Sequence, residues 1–208
     1  KLMRVMVGLI AYSQQANSGV VKKILDSRQL DTILVDYDID AISKMNPCDL
    51  VEEHWSRIGG IRQQTKLFHI VMLARKMKEI GSLYRVIENS NIPHKIDTLY
   101  DIDQFWIAFK DLKKTLNDKK VPFIRSTTTL LHLLLHIGYD CVKPDSAVMK
   151  ASLKFGIVEQ DTGEKNLHRT VRTIQEYSVL NNLRPAELDF YFLIHGGQAW
   201  ASQFVKVS

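Results

Sequence analysis

Apolar residues that recur every three or four positions limit the fold of this 208-residue chain more than any other feature. The clearest case is segment 61–80, where this spacing predicts one long helix with an apolar face. The positions on that face are Leu67, Ile70, Val71, Leu73, Ala74 and Met77. No stretch shows the strict alternation of a half-buried strand, although residues 32–35, Thr-Ile-Leu-Val, are β-prone and leave one short strand open. The sequence therefore predicts an all-α fold.

Composition narrows the function classes. Hydrophobic residues make up 45% of the chain, which is enough to form one large or two small cores. The longest apolar run, residues 130–137, is too short to cross a bilayer, so we expect no membrane span. With only Cys48 and Cys141, the chain cannot build a disulfide framework, and a reducing, cytoplasmic location is expected. The net charge of +5 suits an anionic partner.

The most informative stretch is residues 121–155. A leucine-rich helical pattern leads through a short loop to Lys143-Pro144-Asp145-Ser146, and a second helical pattern then runs to Phe155. Aspartate directly before a helix is a preferred N-cap, so Asp145 is expected to cap a helix over residues 146–155. A carboxylate fixed at a helix start can also act in chemistry, and the two roles are compatible.

Four segments, in this order, resemble the helix-hairpin-helix DNA glycosylase superfamily. Residues 9–23 are similar to an early helix that ends in a Ser-x-Gln turn, and residues 58–66 to a glycine-containing turn before a long helix. Residues 121–146 hold the equivalents of the family's hairpin and of its Asp-Thr or Asp-Ser helix start. Residues 188–197 look like the closing helix. The resemblance covers nearly the whole chain.

The resemblance implies a two-lobed helical fold containing a helix-hairpin-helix. One lobe would be residues 11–140, with the hairpin at 121–126, and the other residues 1–10 plus 141–208, with the active site in the cleft between them. Asp145 takes the catalytic position. The expected DNA-binding residues are Gln15, which fills the gap left by an extruded base, and Arg125, Ser126, Thr127, Thr128 and Lys143. The expected walls of the base pocket are Tyr12, Trp55, Tyr84 and Trp106.

The chain departs from the family pattern at several positions. The family hairpin is usually Leu-Pro-Gly-Val-Gly, and Phe123 and Arg125 replace its two glycines. The lyase branches have a nucleophilic lysine near Thr127 or Thr128, where a hydroxyl cannot form a Schiff base. No cysteine follows Cys141, which excludes the iron–sulfur cluster of one branch. No cofactor or metal is implied.

His132 and His136 lie four residues apart, a spacing that can bind metal. No Glu follows in a His-Glu-x-x-His pattern, and the surrounding residues are mainly leucine. We therefore interpret both histidines as partly buried helix residues.

The resemblance implies a monomeric, monofunctional DNA glycosylase of base excision repair. Its partner would be double-stranded DNA with a damaged base. The hairpin is nearest to that of the 3-methyladenine glycosylase branch, so an alkylated purine is the expected substrate class. The alternative is a catalytically inactive DNA- or protein-binding module on the same scaffold, which the two missing hairpin glycines favour.

Overall fold

The computed structural model describes residues 1–14 and 16–198, and every regular element in these ranges is helical. The all-α prediction is confirmed for this part of the chain. The α-helices of these ranges are α1 (Leu2–Tyr12), α2 (Ser18–Asp26), α3 (Gln29–Ile33), α4 (Ile39–Lys44), α5 (Pro47–Ile58), α6 (Thr65–Glu79), α7 (Leu83–Glu88), α8 (Leu99–Asp118), α9 (Thr127–His136), α10 (Ser146–Lys154), α11 (Glu164–Leu180) and α12 (Pro185–His195).

The short strand left open at residues 32–35 does not form. Helix α3 extends to Ile33, and a 3-10 turn follows over Val35–Tyr37. Asp31 fixes this region from a buried position, because it accepts a hydrogen bond from the Tyr37 hydroxyl at 2.7 Å. That hydrogen bond, together with the nearby arginines, lowers the pKa of the Asp31 carboxyl. Side-chain contacts thus override the local β-propensity.

The chain divides into two compact units. The first is formed by residues 1–87 and 115–125, and its central element is α6, which packs against α1, α4 and α5. Each apolar position predicted for the long helix is buried in α6. The helix starts at Thr65, later than residue 61, because Gly59–Ile61 form a 3-10 turn and Arg62 has a left-handed φ of 81°.

The second unit is formed by residues 88–114 and, within the described part of the chain, residues 126–198. Within it, α10 packs against α12, and α11 contacts α9, α10 and α12. The N-terminal part of α8 contributes the buried aromatic residues Phe105, Trp106 and Phe109. Gly196 ends α12 so close to α10 that a Cβ atom there would lie 2.0 Å from the Ala147 carbonyl oxygen. The first turn of α10 thus packs directly on the end of α12.

The bounds of these units differ from those of the two expected lobes. Residues 1–10 belong with the segment that follows them, and the second unit takes most of α8. Helix α8 is continuous, so it carries the chain from the second unit into the first. The expected active site between two lobes stays a prediction. None of the described helices combines the length and hydropathy of a membrane span.

Candidate functional site

Asp145 caps α10, as the sequence predicts. Its Oδ1 accepts the backbone N–H groups of Ala147 and Val148, both at 3.0 Å. Its Oδ2 lies 2.8 Å from the Lys143 Nζ, and 28% of the Asp145 side chain is exposed. Two N–H donors at a helix start fix the position of the carboxylate and stabilise its negative charge. One oxygen is therefore held by the backbone, and the other is paired with the Lys143 ammonium.

Two buried carboxylates fix the loop that carries Asp145. Asp189 of α12 accepts the Lys143 backbone N–H at 2.8 Å, and Asp140 accepts the Ala186 N–H at 3.1 Å. Asp140 thereby satisfies an N–H in the first turn of α12. The loop and α12 thus hold each other through reciprocal hydrogen bonds. Sequence reasoning missed this role of both aspartates, because the partners lie 46 residues apart.

Asp189 has an unusual electrostatic environment. Burial raises the pKa of its carboxyl to about 7, and the negative charge of Asp145 acts in the same direction. The Lys143 N–H bond and the Lys143 charge act in the opposite direction but are weaker. The Asp189 carboxyl, with a pKa near neutrality, is therefore bonded to the backbone of Lys143, whose side chain pairs with the predicted catalytic carboxylate of Asp145.

One face of α9 borders the same loop. The Thr128 hydroxyl donates to the Pro144 carbonyl at 3.3 Å, and His132 and His136 follow four and eight residues later on that face. The positive charge of Lys143 helps to lower the pKa of both imidazoles, after burial, which is the larger cause. His132 is half-buried and His136 is exposed. The structure thus brings Thr128, Lys143 and Asp145 together, with both histidines beside them.

The other predicted DNA-binding residues differ in their burial and in the hydrogen bonds that their side chains already make. Thr127 is buried, and its hydroxyl is bound by the Lys113 ammonium and the Glu164 carboxylate, so it is not exposed to a ligand. Ser126 is exposed and caps α9, because its Oγ accepts the Thr129 N–H at 3.2 Å. Arg125, in the first unit, is exposed, and its Nε donates to the Val121 carbonyl at 3.4 Å.

The connection between α8 and α9 takes a left-handed conformation twice. Lys120 has a φ of 53° and ends α8, with the Val121 N–H donating to the Leu116 carbonyl at 2.9 Å. Phe123 has a φ of 71°, at a position where the resembling family has glycine. A side chain with a Cβ is disfavoured in this region. The Phe123 ring lies 6.4 Å from the His69 ring.

In the first unit, two cations bind the turn after α1. The buried Lys66 ammonium donates to the Ala11 and Ser13 carbonyls at 2.9 and 2.8 Å, and Arg62 donates to the Gln14 carbonyl at 3.2 Å. Burial, with a smaller effect of the Arg62 charge, lowers the pKa of Lys66 to about 8. Positive charge at a helix C-terminus complements the carbonyl dipoles. Lys66 thereby holds the turn at residues 13 and 14, and the predicted DNA-binding residue Gln15 lies outside the described residues.

An open depression of about 470 Å³ lies on the first unit. It is lined by Trp55, Arg62, Gln63, Gln64 and Thr65. A half-buried indole beside a guanidinium and two carboxamides offers a stacking surface and hydrogen-bond donors. Trp55 is the one predicted base-pocket residue that lines this depression.

The remaining predicted base-pocket residues differ in burial and lie in different units. Trp106 belongs to the core of the second unit, where its indole N–H donates to the Gln175 side chain at 2.8 Å. Tyr12 and Tyr84, in the first unit, are exposed at 38% and 43%. Among the residues that the structure describes, no group of three or more His, Cys, Asp or Glu side chains is arranged to hold a metal ion.

Comparison of the chain with models of protein families, with curated proteins and with solved structures finds no match to any of them. The geometry of the loop around Asp145 and the resemblance of the sequence are therefore the grounds on which a function can be argued.

Proposed function

We propose that this chain is a monofunctional DNA glycosylase that hydrolyses the N-glycosidic bond of a damaged base, an alkylated purine being the preferred class. One observation carries the proposal. Asp145 presents a partly exposed carboxylate that is held at a fixed place by two backbone N–H groups and is paired with the Lys143 ammonium. This matches what hydrolysis at a sugar carbon needs, a negative charge fixed before the reaction starts.

The chemistry follows from where charge develops. As the glycosidic bond breaks, its electron pair leaves with the base and the sugar acquires positive charge, which Asp145 stabilises more in the transition state than in the ground state. A water molecule then adds to the sugar carbon and gives a proton to the carboxylate. Lys143 now pairs with Asp145; on DNA it can pair with a phosphate instead, which frees Oδ2 for the sugar.

The product would be an abasic site in an uncut strand. Thr127 and Thr128 stand where the lyase branches of the resembling family have lysine, and a hydroxyl forms no Schiff base. An alkylated purine carries positive charge and is a good leaving group, so little acid catalysis is required.

Asp145→Asn tests the proposal sharply. Asparagine is also a good N-cap and keeps the acceptor for Ala147 and Val148, so α10 stays capped while the negative charge is lost. We expect base release to fall by about 100- to 1,000-fold, as when one oxyanion-hole donor is deleted. Release is measured on duplexes with a panel of damaged bases, followed by alkaline cleavage of abasic sites. Equal release by wild type and variant would refute the role of Asp145.

The second candidate function is a binding module without catalysis. The left-handed Phe123 favours it, since a side chain there hinders close approach of a phosphate to the backbone. Binding to undamaged and damaged duplexes across salt concentrations, together with the cleavage assay, separates the candidates. Salt-sensitive binding without base release on any duplex supports the module. No binding to any duplex excludes both the glycosylase and a DNA-binding module.

A further inference from the structure

His132 and His136 face one another on α9. Their Nε2 atoms are 3.0 Å apart, and their ring centroids are separated by 4.7 Å. Apart from this contact, no hydrogen bond or ion pair is made by either ring within residues 1–14 and 16–198. Two neutral imidazoles share one N–H across this distance, and in the tautomers protonated at Nδ1 both facing Nε2 atoms carry lone pairs that can bind a metal ion.

We propose that His132 and His136 form a two-histidine site for a divalent transition-metal ion that prefers right-angled coordination, Cu²⁺ or Ni²⁺, with water completing the coordination. This inference does not rest on the proposed glycosylase activity. It revises the reading of these histidines as structural helix residues.

The separation of the two nitrogens fits right-angled coordination more closely than tetrahedral coordination. With metal–nitrogen bonds of about 2.05 Å, a spacing of 3.0 Å corresponds to an angle of roughly 95° at the metal. A tetrahedral ion would need the nitrogens about 3.3 Å apart at the same bond length. Tetragonal N and O coordination is typical of Cu²⁺ and Ni²⁺, and Cu²⁺ binds most strongly among divalent first-row ions.

The surroundings of the two histidines permit metal binding. His136 is exposed, so water can reach the remaining coordination positions. Burial lowers the pKa of both imidazoles, which favours the neutral form that binds metal. The rings are held at four-residue spacing by a ten-residue helix whose N-terminus is capped by Ser126, so the pair is ordered before an ion arrives.

The positive charge of Lys143 opposes the binding of a metal ion at the two histidines. Its positive charge acts on both imidazoles, and its own partner is the Asp145 carboxylate at 2.8 Å. A dication at the two histidines and the ammonium of Lys143 therefore repel one another. The proposal thus predicts that metal affinity rises when the charge of residue 143 is removed.

Titration of the full chain with Ni²⁺ by calorimetry tests the site, because Ni²⁺ does not oxidise the exposed thiol of Cys48. We expect one site in the wild type. His132→Ala and His136→Ala should each weaken it by about tenfold or more, since one of two protein ligands is gone. His54→Ala changes a histidine on another helix and should leave the affinity unchanged. Lys143→Gln should strengthen binding several-fold, to an extent set by screening.

Cu²⁺ provides the spectroscopic readout. In a Cys48→Ser background, electron paramagnetic resonance should show an axial spectrum with coupling to two nitrogens, and coupling to one at most after His136→Ala. Circular dichroism confirms that each variant keeps its helices, and exposed His136 is the variant least prone to misfold. Equal Ni²⁺ affinity of the wild type and the double His132→Ala, His136→Ala variant would overturn the proposal. So would a Cu²⁺ spectrum unchanged by either substitution.

Discussion

The raised pKa of Asp189 makes a quantitative prediction about stability. In the unfolded chain this carboxyl has an ordinary pKa of 3.8, whereas in the folded protein burial raises it to about 7. Between these values the folded state binds one more proton than the unfolded state. The proton therefore stabilises the fold fully below the unfolded pKa, and this contribution is lost as the pH rises through about 7. The full difference corresponds to roughly 4 kcal/mol, an upper figure for a buried group.

Asp189→Asn isolates this contribution. The amide oxygen can still accept the Lys143 N–H, but it does not titrate. We expect the difference in unfolding free energy between wild type and variant to change by about 3 kcal/mol between about pH 4.5 and pH 8, in the direction that makes the wild type relatively weaker at high pH. Urea denaturation at each pH measures it.

The matched control is Asp31→Asn, which changes another buried carboxyl. Because the pKa of Asp31 is lowered, its contribution is lost only as the pH falls below the ordinary range, so the difference from wild type should stay constant between about pH 4.5 and pH 8. Asp145→Asn removes a charge that raises the pKa of Asp189, so it should move the Asp189 transition to lower pH. A pH-independent effect of Asp189→Asn would refute the reasoning.

Three further substitutions have clear expected outcomes. The Phe123→Gly variant should be more stable than the Phe123→Ala variant by about 1 kcal/mol, because glycine adopts a left-handed φ without strain. This is the reverse of the usual order of the two residues. Gly196→Ala should destabilise the fold by about 1–3 kcal/mol, since the added Cβ would meet the Ala147 backbone. Lys66→Met should cost about 2–3 kcal/mol, because it leaves the Ala11 and Ser13 carbonyls without their ammonium donor. Urea denaturation reports all three.

Two control substitutions of the same residue types show whether the losses of stability depend on the position that is changed. Gly8→Ala adds a Cβ that meets nothing within 4 Å inside α1, so it should be neutral or stabilising. Lys150→Met changes an exposed lysine on α10 and should alter stability by no more than about 0.5 kcal/mol. If Gly196→Ala and Gly8→Ala change the unfolding free energy by the same amount, the contact of α12 with α10 does not exclude a side chain at position 196. If Lys66→Met matches Lys150→Met, the buried ammonium does not stabilise the turn after α1.

Local signals in the sequence predicted the elements well. The three- and four-residue spacing of α6 identified its buried face, and Asp145 caps α10 as the Pro-Asp-Ser pattern indicates. Such signals depend on neighbours within one or two turns of the chain. The late start of α6 escaped prediction because the left-handed Arg62 is not specified by its residue type.

The site was predictable only in part. The position of Asp145 followed from capping and resemblance, but its pairing with Lys143 and the support from Asp189 depend on tertiary contacts. The apolar neighbours of Trp106 in sequence indicate a core position, which the structure confirms, whereas nothing in the sequence around Trp55 indicates that it lines a depression. Helical spacing identifies the apolar face of a helix, but it does not identify the residues against which that face packs.

The path of the chain through its two units has a consequence for dissecting the protein. The boundaries at residues 87/88, 114/115 and 125/126 mean that no single cut releases either unit whole. A fragment ending at residue 87 lacks the strip 115–125, and one starting at 126 lacks the aromatic residues of α8. Truncation would therefore expose apolar surface and favour aggregation.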